Sequence, residues 1–293
     1  MSFSVVIPYL FVSSATDMSG LQPKRLNSFF MEYNSNFGKE QLSDNRRIVT
    51  SCIDDKIRTP YLLFKFREYS NVIHQTIIKN REVYFASPNS FSDKDDCHNK
   101  YPELSQTDND IFRKHIDDRV GVLSLATTVN SEYLWKIYSK NHTGFVVGFY
   151  GAVLAEFAHS GGNVTYHDSL SKVSIIDSAS LTDGEYIARM FYAKKMQYSA
   201  EEEYRLIRVN IQGDDSRKVR LPVNAYGFFM IGRNMPLCDI HSFLSLIPQE
   251  LKHVPVLLEP NHWLLRAHNL SVSRLFEWQR GGNVNYVPFQ QIL

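Results

Sequence analysis

The sequence predicts an α+β fold in which a mixed or antiparallel sheet is flanked by helices. Short runs rich in β-branched and aromatic residues recur along the chain, and stretches with helical spacing separate them. The strongest predicted strands are residues 61–67, 81–87, 120–126, 145–150 and 203–211. We therefore expect a main α+β domain over residues 61–293, preceded by an accessory N-terminal segment, residues 1–60.

The composition is that of an ordinary folded protein. The chain has 293 residues, of which 43% are hydrophobic and 22% charged. Its formal net charge of +1 excludes a global attraction to nucleic acid or acidic membranes, although a local basic patch is compatible with it. Aromatic residues make up 13%, with 16 Tyr. Tyr stacks on rings and hydrogen-bonds at its tip, which suits a ligand cleft, although cores use it too.

The cysteines and the N-terminus indicate the compartment. Cys52, Cys97 and Cys238 are odd in number, far apart and without metal-type spacing, so we expect neither a zinc site nor a disulfide framework. The apolar start, Phe3 to Val12, is short, contains Pro8 and follows no basic residue, which favours neither a signal peptide nor a membrane span. The sequence therefore predicts a cytoplasmic protein without a membrane partner, and it leaves the oligomeric state open.

Three helices are predicted between and after the strands. The first covers Asn71 to Lys79, with an apolar face at helical spacing that we expect to point inward: Val72, Ile73, Ile77 and Ile78. Residues 182–196 predict a second amphipathic helix, whose final pair, Lys194-Lys195, suits a helix C-terminus. Residues 241–252 predict a third helix, capped by Asp239.

Two loops lack the motifs of common ligand sites. Residues 89–96 contain three acids but neither the Gly nor the terminal Glu of a calcium loop, so no metal is expected. Gly161-Gly162 predicts a turn, and no Gly-Lys-Thr/Ser ending follows that would make it a phosphate loop.

An aromatic face is predicted on a short helix before the strand at 145–150. Trp135, Tyr138 and His142 are spaced by three and four residues, so they share one side of that helix. This pattern favours packing over chemistry, and His142 is suited to a helix C-terminus.

The stretch that begins at Glu201 carries the pattern closest to chemistry. On a strand, Glu201, Glu203 and Arg205 project to one face. A carboxylate pair beside a guanidinium can hold a sugar hydroxyl or stabilise a developing cation, and it can set two carboxyl pKa values apart. An alternative stays open, because Ser199 followed by Glu202 is a capping-box pattern that would begin a helix.

Four separated motifs resemble the bacterial family catalogued as domain of unknown function 2971, over about residues 61–235. They are Leu63–Arg67; Val83–Asp93; Leu123–Leu125 with Leu134-Trp135, Tyr138 and His142–Gly144; and Tyr198–Ile207. The sequence departs from the family where Asp95-Asp96 follows Lys94, since the family prefers Pro-Phe-Asp there. The resemblance therefore implies no role for that loop.

The order of these motifs is also similar to the ADP-ribosyltransferase fold, in which three strands line a split sheet that holds NAD. Breaking the nicotinamide–ribose bond builds a cation that a carboxylate stabilises. The similarity implies Glu203 as the catalytic carboxylate, with Glu201 assisting and Arg205 orienting. Arg67 would hold the diphosphate bidentately. The other residues assigned to the NAD site are Lys65, Tyr84, Ser87, Ser124 and His142.

The function that this similarity implies is consumption of NAD, by an ADP-ribosyltransferase or an NAD glycohydrolase. NAD would be the substrate, a nucleic acid or a protein the acceptor, and bacterial defence or toxicity the setting. Two alternatives stay open. One is a sensor that binds a nucleotide without turnover. The other is a hydrolase of another class, with Glu201 and Glu203 as acid and base and His142 as proton carrier.

Overall fold

The elements of the fold are taken from a computed structural model, which describes residues 59–93, 95–97, 106–168, 191–259, 263–266, 272–280 and 287–288. The strands are β1 (Leu62–Arg67), β2 (Glu82–Tyr84), β3 (Gly121–Ala126), β4 (Phe145–Tyr150), β5 (Ser160–Asn163), β6 (Thr165–His167), β7 (Ala193–Lys195), β8 (Glu203–Arg208), β9 (Lys218–Arg220), β10 (Tyr226–Ile231), β11 (Val256–Leu258), β12 (Trp263–Arg266) and β13 (Val287–Pro288). The α-helices are α1 (Val72–Lys79), α2 (Gln106–Arg119), α3 (Glu132–Ile137), α4 (Gly151–Ala155), α5 (Leu237–Leu246) and α6 (Val272–Gln279).

A nine-stranded sheet organises these elements. Its order is β13-β12-β11-β10-β4-β1-β3-β8-β5. Every neighbouring pair is antiparallel except β10 and β11, which run parallel. Two small sheets accompany it, β2 with β9 antiparallel and β6 with β7 parallel. The prediction of an α+β fold with a mixed, mostly antiparallel sheet flanked by helices is therefore confirmed.

The pairing is uneven in the middle of the sheet. Six Cα pairs join β1 to β4, and six join β3 to β8. Between β1 and β3, by contrast, the only register pair is Phe64 opposite Ala126. Beyond that pair the two strands form no regular ladder, and the side chain of Lys65 donates to the carbonyl of Ser124. We call this junction the β1/β3 seam.

The core lies on both faces of the sheet, because successive side chains of a strand point to opposite sides. One face carries the largest cluster, which includes Leu63, Leu125, Val147, Tyr204, Phe243, Ile77 and Ile78. The other carries two clusters. One contains Phe64, Phe66, Trp135, Val146 and Phe228, and the second contains Val122, Phe191 and Ile207.

Helix α1 forms as predicted but buries less than predicted. It begins after Asn71, whose side chain accepts a hydrogen bond from the backbone N–H of Ile73. Ile77 and Ile78 are buried in the core as expected. Val72 and Ile73 are 72% and 76% exposed, so the prediction that they point inward is wrong. The packed face of α1 begins only at its second turn, where the helix meets the sheet.

The helix predicted over residues 182–196 is wrong at its C-terminal end. Residues 182–190 lie outside the described residues, and the helix ends at Tyr192. Ala193–Lys195 forms strand β7, which pairs in parallel with β6, and Met196–Glu201 forms a 3₁₀ helix. Long-range pairing with β6 thus overrides the local helical spacing, and it places Lys194 on a strand.

The turn predicted at Gly161-Gly162 is also wrong. Both glycines belong to β5, the edge strand that pairs with β8. A Cβ at Gly161 would lie 2.8 Å from Cδ2 of Leu206 and 2.9 Å from the hydroxyl oxygen of Tyr204. The side chains of Leu206 and Tyr204 therefore favour a small residue at position 161, and no turn is involved.

The remaining differences lie near the ends of the chain. Helix α5 spans residues 237–246 instead of 241–252, and Asp239 lies in its first turn instead of capping it. The accessory segment lies outside the described residues up to residue 58, as do residues 281–286 and 289–293 of the C-terminal tail. Among the described residues, no helix is long and apolar enough to span a membrane.

Substitution of Trp135 tests how the aromatic face packs against the sheet. It is 2% exposed, and its ring meets that of Phe66 edge-on at 5.3 Å between centroids. Trp135→Ala is expected to lower the free energy of unfolding by about 3–5 kcal/mol, because it leaves a cavity. Ile137→Ala in the same helix is the control, since Ile137 is 55% exposed and its change should stay within about 0.5 kcal/mol. Equal losses in urea unfolding would contradict the packing described here.

Candidate functional site

Glu201 and Glu203 flank a left-handed residue at the start of β8. Glu202, at φ 43°, ends the 3₁₀ helix, and its N–H donates to the carbonyl of Ser199 at 3.2 Å. The capping-box alternative is therefore wrong, because Ser199 lies near the end of a short helix and begins none. The reversal at Glu202 lets both flanking carboxylates reach one ammonium group, that of Lys194.

Glu203 and Arg205 lie on one face of β8, as predicted, whereas the prediction that Glu201 shares this strand is wrong, because Glu201 is the last residue of the 3₁₀ helix. They stand opposite Ala126 and Ser124 of β3. The guanidinium of Arg205 grips both carboxylate oxygens of Glu203, with Nε 2.8 Å from Oε1 and Nη2 3.0 Å from Oε2. Arg205 is fully buried. Such a bidentate pair fixes the orientation of both side chains.

The outer edge of the Arg205 guanidinium is also fully occupied. Nη1 and Nη2 donate to the two carboxylate oxygens of Asp96 at 2.8 and 2.7 Å. Nη1 also donates to the carbonyl of Phe191 at 2.7 Å and contacts Sγ of Cys97 at 3.1 Å. Burial alone would lower the pKa of Arg205, but the charges around it, Glu203 first, raise it well above its ordinary value. Arg205 is therefore permanently charged.

Lys194 joins the same group of charges. Its ammonium donates to Oε2 of Glu201, lies 3.0 Å from Oε2 of Glu203 and 3.7 Å from Oδ2 of Asp96. Burial would lower the pKa of Lys194, yet the nearby carboxylates, Glu203 foremost, raise it. The hydroxyl of Tyr138 donates to the other oxygen of Glu201 at 2.7 Å. We call Asp96, Lys194, Glu201, Glu203 and Arg205 the acid–base network.

Glu203 stays ionised at any physiological pH. Burial would raise its pKa, but the charges of Arg205 and Lys194, with hydrogen bonds from Arg205 and Ser124, lower it to about 2. Its backbone N–H donates to the hydroxyl oxygen of Tyr166 at 2.9 Å. The network contains three carboxylates and two cations. It therefore carries one net negative charge when all five groups are ionised.

Lys65 and Arg67 lie next to the network at the β1/β3 seam. The charges of Arg67, Glu203, Lys194 and Glu201 all act on Lys65, whose pKa burial lowers well below its ordinary value. Burial also lowers the pKa of Arg67 to about 10. Among the described residues, no hydrogen-bond or ion-pair partner contacts the guanidinium of Arg67.

The register separates these two groups of side chains. Lys65 and Arg67 stand opposite Val147 and Phe145 of β4, on the face of the sheet that carries the largest core cluster. Glu203 and Arg205 project from the other face. The cations of β1 and the acid–base network therefore meet only at the seam, where the ladder between β1 and β3 is interrupted.

Two residues assigned to the NAD site from sequence lie elsewhere. Tyr84 is 39% exposed, and its hydroxyl donates to Oδ1 of Asp214 at 2.6 Å. The hydroxyl of Ser87 donates to the backbone carbonyl of Asp117 at 2.8 Å. Within the part of the chain that the structure describes, neither side chain contacts the acid–base network. Ser124, by contrast, belongs beside it through its hydrogen bond to Glu203.

His142 belongs to a second cluster of charged groups, in which His142 and Glu259 are buried and Glu132 is exposed. Its Nδ1 lies 2.8 Å from Oε1 of Glu259, and its Nε2 lies 2.9 Å from Oε1 of Glu132. The guanidinium of Arg233 bonds to both carboxylates. The two acids and His142 could hold a metal ion by distance, but Arg233 already bonds to both acids.

His142 stacks on Trp135 with the rings 8° from parallel, so packing is confirmed for these two residues. The prediction of a shared helical face is wrong, because the helix ends at Ile137 and Tyr138, 42% exposed, bonds to Glu201 instead.

Sequence analysis missed two members of the network, Lys194 and Asp96. Lys194 follows the run Phe191-Tyr-Ala, and a lysine next to an apolar run is a signal of a buried ion pair, although the helical pattern concealed it. The sequence around Asp96 indicates neither a calcium loop nor the motif of the resembled family, and it predicts no role for this residue. Its bond to Arg205 spans 109 residues, and no local pattern could show it.

Comparison of the chain with family models, with curated proteins and with solved structures finds no match. The two resemblances described above therefore stay predictions. The chemistry of the site rests on the contacts and charges of the residues themselves.

The lowered pKa of Glu203 predicts how the stability of the protein changes in acid. The pKa of Glu203 falls from an ordinary 4.5 to about 2 on folding. A carboxyl whose pKa is lowered on folding stabilises the protein above its unfolded pKa, and this stabilisation is lost as the pH falls towards the folded pKa. Wild type should therefore lose roughly 3 kcal/mol of stability from this group alone between about pH 4.5 and pH 2.

Glu203→Gln should lack this part of the pH dependence and be less stable at pH 7 by about 3–5 kcal/mol, because Arg205 and Lys194 lose a buried partner. Glu156→Gln is the control, since Glu156 is exposed at the end of α4. Urea unfolding over this pH range measures both effects. The same pH slope in wild type and Glu203→Gln would contradict the assignment.

Proposed function

We propose that the protein binds NAD or a related nucleotide through its diphosphate at Arg67. The observation that carries the proposal is the guanidinium of Arg67, which is only partly exposed and has no partner among the described residues, although charges withdrawn from water are normally paired. A planar guanidinium matches two phosphate oxygens and binds them bidentately. An anionic ligand would therefore supply the partner that the protein itself does not.

The surroundings of Arg67 favour a ligand with both phosphate and sugar. Lys65 adds N–H donors beside the guanidinium, and His74 lies close enough for the charge of Arg67 to lower its pKa after burial has done so. Glu201 and Glu203 lie on the other face of the sheet and already bond to Lys194, Tyr138 and Arg205, so a sugar hydroxyl would reach their carboxylate oxygens only at the seam. A dinucleotide carries both kinds of group.

Cleavage of the bound NAD is a second candidate function. The observation in its favour is the net negative charge of the acid–base network, with Glu203 ionised throughout the physiological range. A fixed negative charge stabilises the cation that develops on the ribose when nicotinamide leaves. In this function Glu203 is the catalytic carboxylate, Glu201 assists and Arg205 orients, and a nucleic acid or a protein is the acceptor.

The contacts of Glu203 favour binding of the nucleotide without turnover. Arg205 and Lys194 already bond to its two oxygens, so much of its charge is neutralised before any substrate arrives. A hydrolase with His142 as proton carrier is not favoured, since His142 bonds to Glu259 and Glu132 and not to the network.

The two sequence resemblances also support the proposal that the ligand is NAD. The motifs that resemble domain of unknown function 2971 include β1, α3 and β8, the elements that carry Arg67, Trp135 and Glu203. A sheet interrupted between β1 and β3 is what the similarity to the ADP-ribosyltransferase fold implies. These points support NAD over other nucleotides, at the level of analogy between folds.

Binding is tested by titrating the protein with NAD in a calorimeter. Arg67→Gln should weaken binding by about 10- to 100-fold, since hydrogen bonds to charged groups contribute about 1.5–3 kcal/mol. Lys79→Gln removes one positive charge at the exposed end of α1 and should leave the affinity within a factor of about two. No heat of binding in wild type, or equal losses in the two variants, would end the proposal.

Turnover is tested by following the release of nicotinamide. If the protein cleaves NAD, Glu203→Gln should lower kcat by about a hundred- to a thousand-fold while changing the affinity little, because the lost interaction develops in the transition state. Circular dichroism must first show that the variant is folded. Binding by wild type without release of nicotinamide would favour the sensor.

A further inference from the structure

Two lysines of the site, Lys194 buried and Lys65 partly exposed, face opposite environments. The ammonium of Lys194 contacts three carboxylates, those of Glu201, Glu203 and Asp96. The amino group of Lys65 donates to the backbone carbonyl of Ser124 and, among the described residues, forms no ion pair. Lys194 is thus held as a cation by three carboxylates, whereas Lys65 has a neutral carbonyl oxygen as its partner.

The charges around Lys65 act in both directions. Arg67 on the same strand and Lys194 on β7 oppose a positive charge there, whereas Glu203 and Glu201 favour one. Burial is the largest influence, and with Arg67 it lowers the pKa of Lys65 well below its ordinary value, while the pKa of Lys194 is raised. Removal from water and a neighbouring cation are the two conditions that make a lysine amine nucleophilic.

We propose that the amino group of Lys65 is a nucleophile that forms a Schiff base with the carbonyl carbon of an anionic aldehyde or ketone held by Arg67. The lone pair of Nζ attacks the carbonyl carbon, a C–N bond forms, and the carbonyl oxygen leaves as water after taking up protons. The product is an imine, with no oxidant or reductant consumed. Lys65 is only partly exposed, so the ligand has to reach it through the seam.

Arg67 makes the site selective for a carbonyl compound that also carries a phosphate or carboxylate. It lies two residues from Lys65 on the same side of β1 and has no described partner. A ligand with an anionic group would pair with Arg67 and hold its carbonyl next to Lys65. This activity does not depend on whether the protein binds or cleaves NAD.

The test compares two aldehydes that differ in a phosphate. Wild-type protein is exposed briefly at pH 7 to pyridoxal 5′-phosphate or to pyridoxal, and imines are reduced to stable amines with borohydride. Peptide mass spectrometry then measures labelling at each lysine. Lys65 should be labelled at least about tenfold faster than the exposed Lys79, because each unit of lowered pKa raises the free-amine fraction about tenfold. Lys194 should be the slowest of the three.

The role of Arg67 is measured as the ratio of Lys65 labelling by pyridoxal 5′-phosphate to Lys65 labelling by pyridoxal. A change in the basicity of Lys65 affects both labelling rates equally and therefore cancels in this ratio. Arg67→Gln should lower the ratio of labelling by pyridoxal 5′-phosphate to labelling by pyridoxal about tenfold, because the charged anchor is lost. Labelling of Lys65 no faster than that of Lys79 in wild type would overturn the nucleophile. An unchanged ratio in Arg67→Gln would overturn the anchor. NAD titration of the same samples shows separately whether the nucleotide proposal holds.

Discussion

The buried guanidinium of Arg205 is the group on which the site depends. Its five N–H donors are shared between Glu203, Asp96 and the carbonyl of Phe191, which belong to three separate segments of the chain. A buried charge is tolerated only when it is paired and its donors are satisfied. The positions of Asp96, the entry to β7 and the start of β8 are therefore fixed together, and none of them can shift without leaving a donor or a charge unpaired.

The β1/β3 seam divides the nine-stranded sheet into two halves. Strand β3 is fully paired to β8, and β1 is fully paired to β4, so each half of the sheet has its own complete ladder. A single register pair joins the halves. At this junction the side chain of Lys65 donates to the backbone carbonyl of Ser124. The sheet is thus continuous within each half and interrupted between β1 and β3.

Much of the fold could be predicted from sequence, because local pattern determined it. Strands β3, β4 and β10 are short apolar runs, and alternation on β8 placed Glu203 and Arg205 on one face. Lys194 could not be placed, since its strand depends on pairing with Thr165–His167, which helical spacing does not reveal. The site was predicted in part for the same reason: Glu203 and Arg205 are neighbours on a strand, whereas Asp96 reaches them from far along the chain.

The left-handed residue between the two glutamates has a consequence for how this sequence can diverge. At φ 43°, Glu202 occupies a backbone conformation that costs most residues energy and that glycine adopts freely. Asn and Asp tolerate it too, whereas a β-branched side chain there is an outlier. Evolutionary variation at this position is thus limited by the backbone, even though the Glu202 side chain lies outside the acid–base network. The carboxylates of Glu201 and Glu203 can both reach Lys194 only in lineages whose residue between them adopts this left-handed conformation.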